Sequence, residues 1–314
     1  MSILIVGGAG FIGLNLCRYL QRKNRFNFTV FDDFSIGDTE ILTNLDIRYI
    51  KGSILDKDKL AKAMTNVDFV IHLAARPGVI DSIKNPQATF ELNVTGAFNV
   101  LEQSRISNVS KIVFASTGGA IIGNNSTPPY TEFMPMNPIS PYGASKMCSE
   151  GLFLTYARAY DMECYSLRFA NVYGPYSRHK TGAVTAFMKA ILRKKPLNIF
   201  GDGSSVRDFI YVEDVCEAIE KVLETNKASN VYNIGSGVST SIQFLANAIS
   251  DISDSQLTSN IEHLPMRSGE VDQTWLDISH AKNELGFTAR TSLEAGLSKT
   301  WDWFQTTNSN GYKK

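Results

Sequence analysis

Cysteine is scarce: four residues, Cys17, Cys148, Cys164 and Cys216, lie far apart in a chain of 314, with no Cys-x-x-Cys. That pattern excludes a disulfide framework and a thiolate zinc site. The four histidines, His72, His179, His263 and His280, show no metal-site spacing either. No apolar run approaches the roughly 20 residues needed to cross a bilayer. The opening "MSILIVGGAGFIG" has too short an apolar run, and no positive leader, to be a signal peptide. Net charge is absent too, because 31 basic residues cancel 31 acidic ones. A neutral chain lacks the broad positive field that draws a protein onto nucleic acid or an anionic membrane. These absences imply a cytoplasmic protein with no nucleic-acid partner, no membrane insertion and no metal, in which an anionic ligand is held by local charge.

What is present is a rhythm. Short apolar runs alternate with longer amphipathic ones, the pattern of parallel strands joined by crossover helices. Strands are expected at "SILIV", "FTVF", "DIRYI", "DFVIHLA" and "KIVFAS", and helices near 11 to 23, 57 to 65, 87 to 106 and 142 to 160. Ile12, Leu16, Tyr19 and Leu20 recur at helical spacing in the first of these. The fold class is therefore α/β, a doubly wound parallel sheet. After "YSLRFANVYGP" glycines and prolines break the rhythm, so residues 1–171 are expected to form a nucleotide-binding domain and 172–314 mostly a smaller mixed lobe. "VYNIG", 231 to 235, reads as a later strand returning to the first sheet.

"ILIVGGAGFIG" places Gly7, Gly10 and Gly13 between a strand and a helix. Gly7 suits a tight turn, Gly10 admits an anion to the backbone amides, and Gly13 allows close packing of helix on strand. The helix start offers orphan N–H donors to a pyrophosphate. Asp32 ends the next strand, 19 residues beyond Gly13, where a carboxylate accepts from ribose hydroxyls and repels a 2′-phosphate. NAD is the expected cofactor. Asp33 either touches the same ribose or is solvated.

"SPYGASK" sets Tyr142 and Lys146 four residues apart, on one face of a helix. A phenol with pKa near ~10 is a poor base at neutral pH, but neighbouring positive charge favours its phenolate. Beside a nucleotide turn the pair reads as an activated tyrosine, with Lys146 and a nicotinium ring as the expected sources of that charge.

With these motifs stand "VIHLAA", "STGGAIIG", "LRFANVYGP", "GDGSSVRDFIYVEDV" and "RSGE". In that order they resemble the extended short-chain dehydrogenase/reductase family with its Rossmann-type sheet. Within it they are most similar to the NAD-dependent sugar-nucleotide epimerases and dehydratases, and most narrowly to UDP-glucose and UDP-N-acetylglucosamine 4-epimerases. The resemblance implies that NAD is also met by Phe11, Ile12, Ser53, Ile54, Leu73, Ala74, Ala75, Asn93, Phe169, Tyr142 and Lys146. Asn93 has a helix-interior structural role as its alternative reading, and Ser53 stands where relatives often carry Asp. A catalytic hydroxyl is implied at the end of the strand before the tyrosine. Counting from the strand start gives Thr117; counting back from Gly123 gives Gly118, and Ser116 is the alternate.

For the substrate, the resemblance implies contacts from Thr117, Tyr142, Asn171, Arg207 and Arg267, the arginines gripping a diphosphate through forked hydrogen bonds. A local ion pair with Asp208 or Glu270 is the plainer reading of each arginine. Thr274, seven residues after Arg267, stands where the family sizes the sugar pocket. His72 reads as a hydrogen-bonded core histidine rather than a base. Gly118, Gly119 and Ala120 replace the acid pair that dehydrating relatives carry after the threonine. The expected activity is thus 4-epimerisation of a UDP-hexose, UDP-GlcNAc/UDP-GalNAc and/or UDP-Glc/UDP-Gal, through a 4-keto sugar. The alternatives are a dehydratase, decarboxylase or reductase of nucleotide sugars, and a non-catalytic nucleotide sensor. A homodimer through the helices near 87 to 106 and 142 to 160 is implied by the family as well.

Overall fold

The computed structural model describes residues 1–37, 39–124, 126–228, 230–253, 261–266 and 271–309. Strand β1 (Ser2–Val6) leads into helix α1 (Phe11–Lys23), followed by β2 (Asn27–Asp32), α2 (Thr39–Asn44), β3 (Tyr49–Lys51), α3 (Lys57–Ala63) and β4 (Phe69–His72). Next come α4 (Val79–Lys84), α5 (Pro86–Phe90), a π-helical turn at Glu91–Thr95, and α6 (Gly96–Ile106). Then follow β5 (Lys111–Thr117), α7 (Gly119–Ile122), α8 (Pro141–Ala159) and β6 (Glu163–Phe169). The chain continues through β7 (Asn171–Tyr173), α9 (Ala183–Leu192), β8 (Leu197–Phe200), β9 (Val206–Arg207), β10 (Phe209–Tyr211), α10 (Val212–Glu224) and β11 (Val231–Ile234). Last are β12 (Thr240–Ser241), α11 (Ile242–Ile252), β13 (Ile261–Leu264), β14 (Gln273–Thr274), α12 (Ser279–Leu285) and α13 (Leu293–Ser309).

Seven strands form one sheet in the order β11-β6-β5-β4-β1-β2-β3, and its pairings are all parallel. Strands buried on both faces, such as Ile3–Val6 and Phe69–His72, need no alternation, which is why they read as continuous apolar runs. One core cluster packs α1 and α10 on one face through Leu16, Leu20, Val215 and Ile219. The other packs α3, α6 and α8 on the opposite face through Leu60, Val100, Leu101 and Phe153. This is the Rossmann-type doubly wound α/β fold. The strand order reverses between β1 and β4, and in such sheets the ligand crevice opens at the carboxyl ends flanking that reversal.

After β6 the chain leaves the sheet through β7, which pairs with β10. Strands of two residues, β12, β9 and β14, form a small sheet. A third apolar cluster, with Phe187, Met188, Leu245, Trp301 and Phe304, joins α9, α11 and α13 beside it. Val231–Ile234 pairs with β6 and closes the edge of the large sheet. Among the described residues, no helix is long and apolar enough to cross a membrane.

Candidate active site

The site begins at the turn between β1 and α1. Gly7 has φ +83°, and a Cβ there would lie 2.4 Å from the Ala74 nitrogen, so only glycine lets the turn lie against the chain leaving β4. Both Leu73 and Ala74 donate their N–H to the Val6 carbonyl, at 2.8 and 3.0 Å. A Cβ on Gly13 would fall 2.5 Å from the Gly8 Cα, and one on Gly8 would fall 2.7 Å from Val30 Cγ2. Gly13 therefore packs α1 on the turn itself rather than on a strand, and Gly8, which spacing alone did not single out, seats the turn on β2. Helix α1 starts at an extended Gly10 with no side-chain cap, and Phe11 and Ile12 follow in its first turn. Uncapped amides at a helix start favour an anion.

Asp32 closes this end of the crevice. Its Oδ2 accepts from Ala9 N at 3.0 Å and its Oδ1 from Phe34 N at 2.8 Å. Burial still pushes its carboxyl above the ordinary range, against those two hydrogen bonds. Asp33 accepts from Ser35 N in a local turn, and Ser53 Oγ does the same for Leu55 N. Ile54 is buried, and its carbonyl accepts from Asn99. Ala75 borders Arg76, whose backbone is clamped by Asn93: Oδ1 accepts from Arg76 N at 2.7 Å, and Nδ2 donates to Arg76 O and to Ser145 Oγ. Asn93 thus ties the loop after β4 to α8. A glycine cradle, an uncapped helix start and a carboxylate one strand away fit a dinucleotide.

Helix α8 carries the second half. Ser140 caps it by accepting from Gly143 N at 3.1 Å, and Pro141 occupies its first turn. A Cβ on Gly143 would lie 2.1 Å from the Ala120 oxygen, so glycine lets the start of α8 close onto α7. That closure sets the Tyr142 phenol near the Thr117 side chain at the end of β5, which opposes the effect of burial on the phenol. Ser116 pairs in register with Arg168, and its hydroxyl is buried. Lys146 is buried as well; its Nζ donates to Ala115 O at 2.8 Å and lies 4.7 Å from the centroid of the Phe114 ring.

In the chain on its own, burial is the largest influence on both the phenol and Lys146. Burial pushes the phenol up to about 12, and the opposing influence is the Thr117 side chain. Burial likewise pulls Lys146 down to about 7. In both groups desolvation is the largest cause, because burial in a low-dielectric layer penalises the charged form. His72, buried at the end of β4, is held down to about 3, first by burial and then by Lys146, so it is neutral at working pH and no base.

Across the crevice, Asn171 donates from Nδ2 to Asp208 O at 3.1 Å. Arg207 Nη1 donates to Val206 O and Asp272 O. The Asp208 carboxylate faces the other way, accepting from Ser236 N and Oγ and from Gly237 N, which removes the Arg207–Asp208 pairing as the reason for that arginine. Thr274 pairs in register with Arg207 and is buried, its Cγ2 3.1 Å from where a Cβ of Gly119 would stand. Leu276 Cδ2 is 2.4 Å from the corresponding point on Gly118. Phe169 ends β6, and its carbonyl accepts from Gly118 N at 3.0 Å. Arg267 and the rest of "RSGE" lie outside the described residues. Three charged side chains here escaped the motif reading. Lys180 brings its Nζ to 4.9 Å from the Phe11 ring centroid, and Glu150 and Arg168 pair beneath α8. Nothing in a loop lysine or a helix glutamate marks such contacts in sequence.

The profile of the NAD dependent epimerase/dehydratase family matches residues 3–235. The chain belongs to that family. A putative UDP-glucose 4-epimerase of Methanocaldococcus jannaschii is 35% identical over 98% of this chain and 99% of its own. The UDP-glucose 4-epimerase of Thermotoga maritima, solved with UDP-glucose, superposes with a TM-score of 0.91 at 36% identity, over 98% of this chain and 100% of that one. A dTDP-glucose 4,6-dehydratase of Streptomyces venezuelae, solved with NAD, gives 0.92 at 29% identity over 98% of both. This epimerase/dehydratase family member is an NAD-dependent enzyme, and the glycine turn, the uncapped start of α1 and Asp32 have the chemistry to fit that cofactor.

Proposed function

We propose that this family member is a 4-epimerase of a UDP-hexose, acting on UDP-GlcNAc/UDP-GalNAc with UDP-Glc/UDP-Gal as the smaller pair. One observation carries the choice of epimerisation over dehydration. Beyond Thr117 the chain turns through Gly118 and Gly119, and the space their side chains would fill is taken by Leu276 and Thr274. Among the described residues the site therefore offers one titrating phenol and one hydroxyl, with no second acid in the place that Gly118 and Gly119 take, which suits reversible oxidation at a single carbon.

NAD, when bound, supplies reversible hydride acceptance at C4 of the sugar. Gly7, Gly10, Phe11, Ile12 and Gly13 would hold its pyrophosphate and Asp32 its ribose, with Leu73 to Ala75, Asn93 and Phe169 lining the path toward Tyr142. The Thr117 hydroxyl orients the C4 oxygen and stabilises the phenolate. Tyr142 removes the C4 hydroxyl proton while the C4 hydride would pass to the bound cofactor, the two losses together giving a 4-ketose; Tyr142 returns the proton once the sugar has turned about its diphosphate and the hydride would be given back to the opposite face. Because the chain's own groups hold the phenol near 12, its ionisation must be drawn by charge that arrives with the ligands. Arg207, Arg267 and Asn171 keep the diphosphate anchored while the sugar rotates. The small Thr274 leaves room for a 2-acetamido group. A second copy of the chain is the proposed partner, docked through α6 and α8.

Purified protein mixed with UDP-GlcNAc and no added cofactor should form UDP-GalNAc, seen by proton NMR. Lasting NADH change or an eliminated sugar would remove the epimerase reading. Tyr142→Phe should lower turnover by about 100-fold or more. Thr274→Tyr should abolish use of the acetamido pair while sparing the hydroxyl pair.

A further inference from the structure

The loop from β7 to α9 is strapped along α1. Asn15 Nδ2 donates to Phe11 O at 2.8 Å and to Pro175 O at 2.9 Å, and Arg18 Nη1 donates to the Tyr176 hydroxyl at 2.7 Å. A turn follows, with Lys180 N donating to Ser177 O at 2.8 Å. It returns the Lys180 side chain to the first residue of α1: Nζ lies 4.9 Å from the Phe11 ring centroid and donates to Val172 O at 3.2 Å. An ammonium carries three donors, and among the described residues no carboxylate acts on this one. Holding a cation away from water with no anion beside it is costly. The start of α1 has a matching lack, with no side-chain cap and no acid in its first turn. Both lacks meet at Phe11. We propose that Lys180 is a cofactor-binding residue, its ammonium clamping the pyrophosphate of NAD from the smaller lobe against the start of α1.

The charged and titratable groups on the elements packed around this loop leave the place of an anion open. Helix α1 contributes Arg18, already engaged with Tyr176. The loop itself contributes Arg178, which donates to Thr307 Oγ1 of α13 at 2.8 Å, and His179, held below its ordinary value by burial, then by Lys180 and Lys189 of α9. From β7 the Tyr173 phenol is pushed above its ordinary value by burial, and so is neutral. Asp214 of α10 and Glu294 of α13 act on that phenol, but neither acts on Lys180. Burial pulls Lys180 down to about 8. A bound phosphate must raise that value, so dinucleotide affinity is full below pH 8 and falls as pH rises from the free value toward the bound one.

The test needs no turnover. Full-length protein freed of nucleotide is titrated calorimetrically with ADP-ribose, which keeps the pyrophosphate and lacks the nicotinamide ring, and separately with UDP. At pH 7, Lys180→Met should weaken ADP-ribose binding about tenfold and leave UDP binding unchanged. By pH 10 the wild type should itself have lost that factor of about ten and match the variant to within about twofold, because its lysine is then neutral too. Equal weakening of both nucleotides, or a wild-type advantage that is the same at pH 7 and pH 10, would make Lys180 a purely structural residue and overturn the assignment. Weakening of UDP alone would move its contact to the substrate and overturn it as well. If Lys180→Met fails to fold, Lys180→Gln is read by the same comparison, and a wild-type affinity for ADP-ribose that stays flat from pH 7 to pH 10 overturns the assignment without any variant. A protein that binds NAD but interconverts no UDP-hexose would sink the proposed function and leave this assignment standing.

Discussion

Lys146 is a residue whose proposed catalytic role works against stability. Its ordinary pKa is 10.5, and in the fold burial lowers it to about 7. Between those values the unfolded chain binds the proton that the folded chain gives up. Stability from this group therefore rises with pH from about 7 toward 10.5, and below 7 the full cost of holding a buried ammonium is present. Lys146→Met should raise the melting temperature, more at pH 6 than at pH 10, while eliminating turnover; calorimetry at the two pH values checks the sign. An unchanged or lower melting temperature at pH 6 would show that the hydrogen bond to Ala115 outweighs desolvation. The i, i+4 spacing made Tyr142 and Lys146 legible in sequence because it depends only on helix geometry. Their protonation was not legible, since it depends on how much protein surrounds them. Choosing Thr117 over Ser116 as the phenol's neighbour likewise needed the position of the strand's last residue.

At the scale of elements, α1 runs Phe11–Lys23, where apolar spacing and glycine placement put it, because a long amphipathic helix leaves a strong period. Strand β3 starts at Tyr49 rather than at Asp46. Asp46 has φ +51° and Ile47 still donates to Leu42 O, so the end of α2 takes up residues that read as strand. The span 87 to 106 read as one helix, whereas it holds α5, a π turn and α6. The turn carries Asn93, whose side chain bonds the Arg76 backbone and Ser145, contacts that no local propensity encodes. The glycine turn makes a sharper prediction. Gly13→Ala would set a methyl 2.5 Å from Gly8 Cα, which seats on Val30, so α1 must move relative to β1. The expected loss is about 1–3 kcal/mol of stability. NAD affinity should fall at least tenfold, with UDP affinity unchanged, both measured by titration calorimetry. Equal loss for both nucleotides would mean that the turn supports the whole crevice rather than the dinucleotide end.

At the scale of the molecule, the large sheet was legible because its strands are apolar runs. The small sheet after β6 was not, because β9, β12 and β14 are two residues each, shorter than any period. Its apolar residues find partners only in three dimensions. Phe90, Phe98 and Ile106 on α5 and α6, with Leu154 on α8 and Tyr160 just beyond it, are exposed, and α8 packs against both α5 and α6. Gly151 sits in the middle of this 19-residue helix, where a Cβ would meet nothing within 4 Å. A glycine at an open helix interior costs about 1 kcal/mol relative to alanine, so a lone chain gains nothing from it. A second copy crossing α8 at that point would gain close backbone approach. Gly151→Leu should therefore leave the single chain folded yet change sedimentation from two chains to one, and Leu154→Glu should do the same by burying a charge. If Gly151→Leu keeps the dimer and raises its melting temperature, the gain in helix propensity is the whole effect, and the copies meet through some other face.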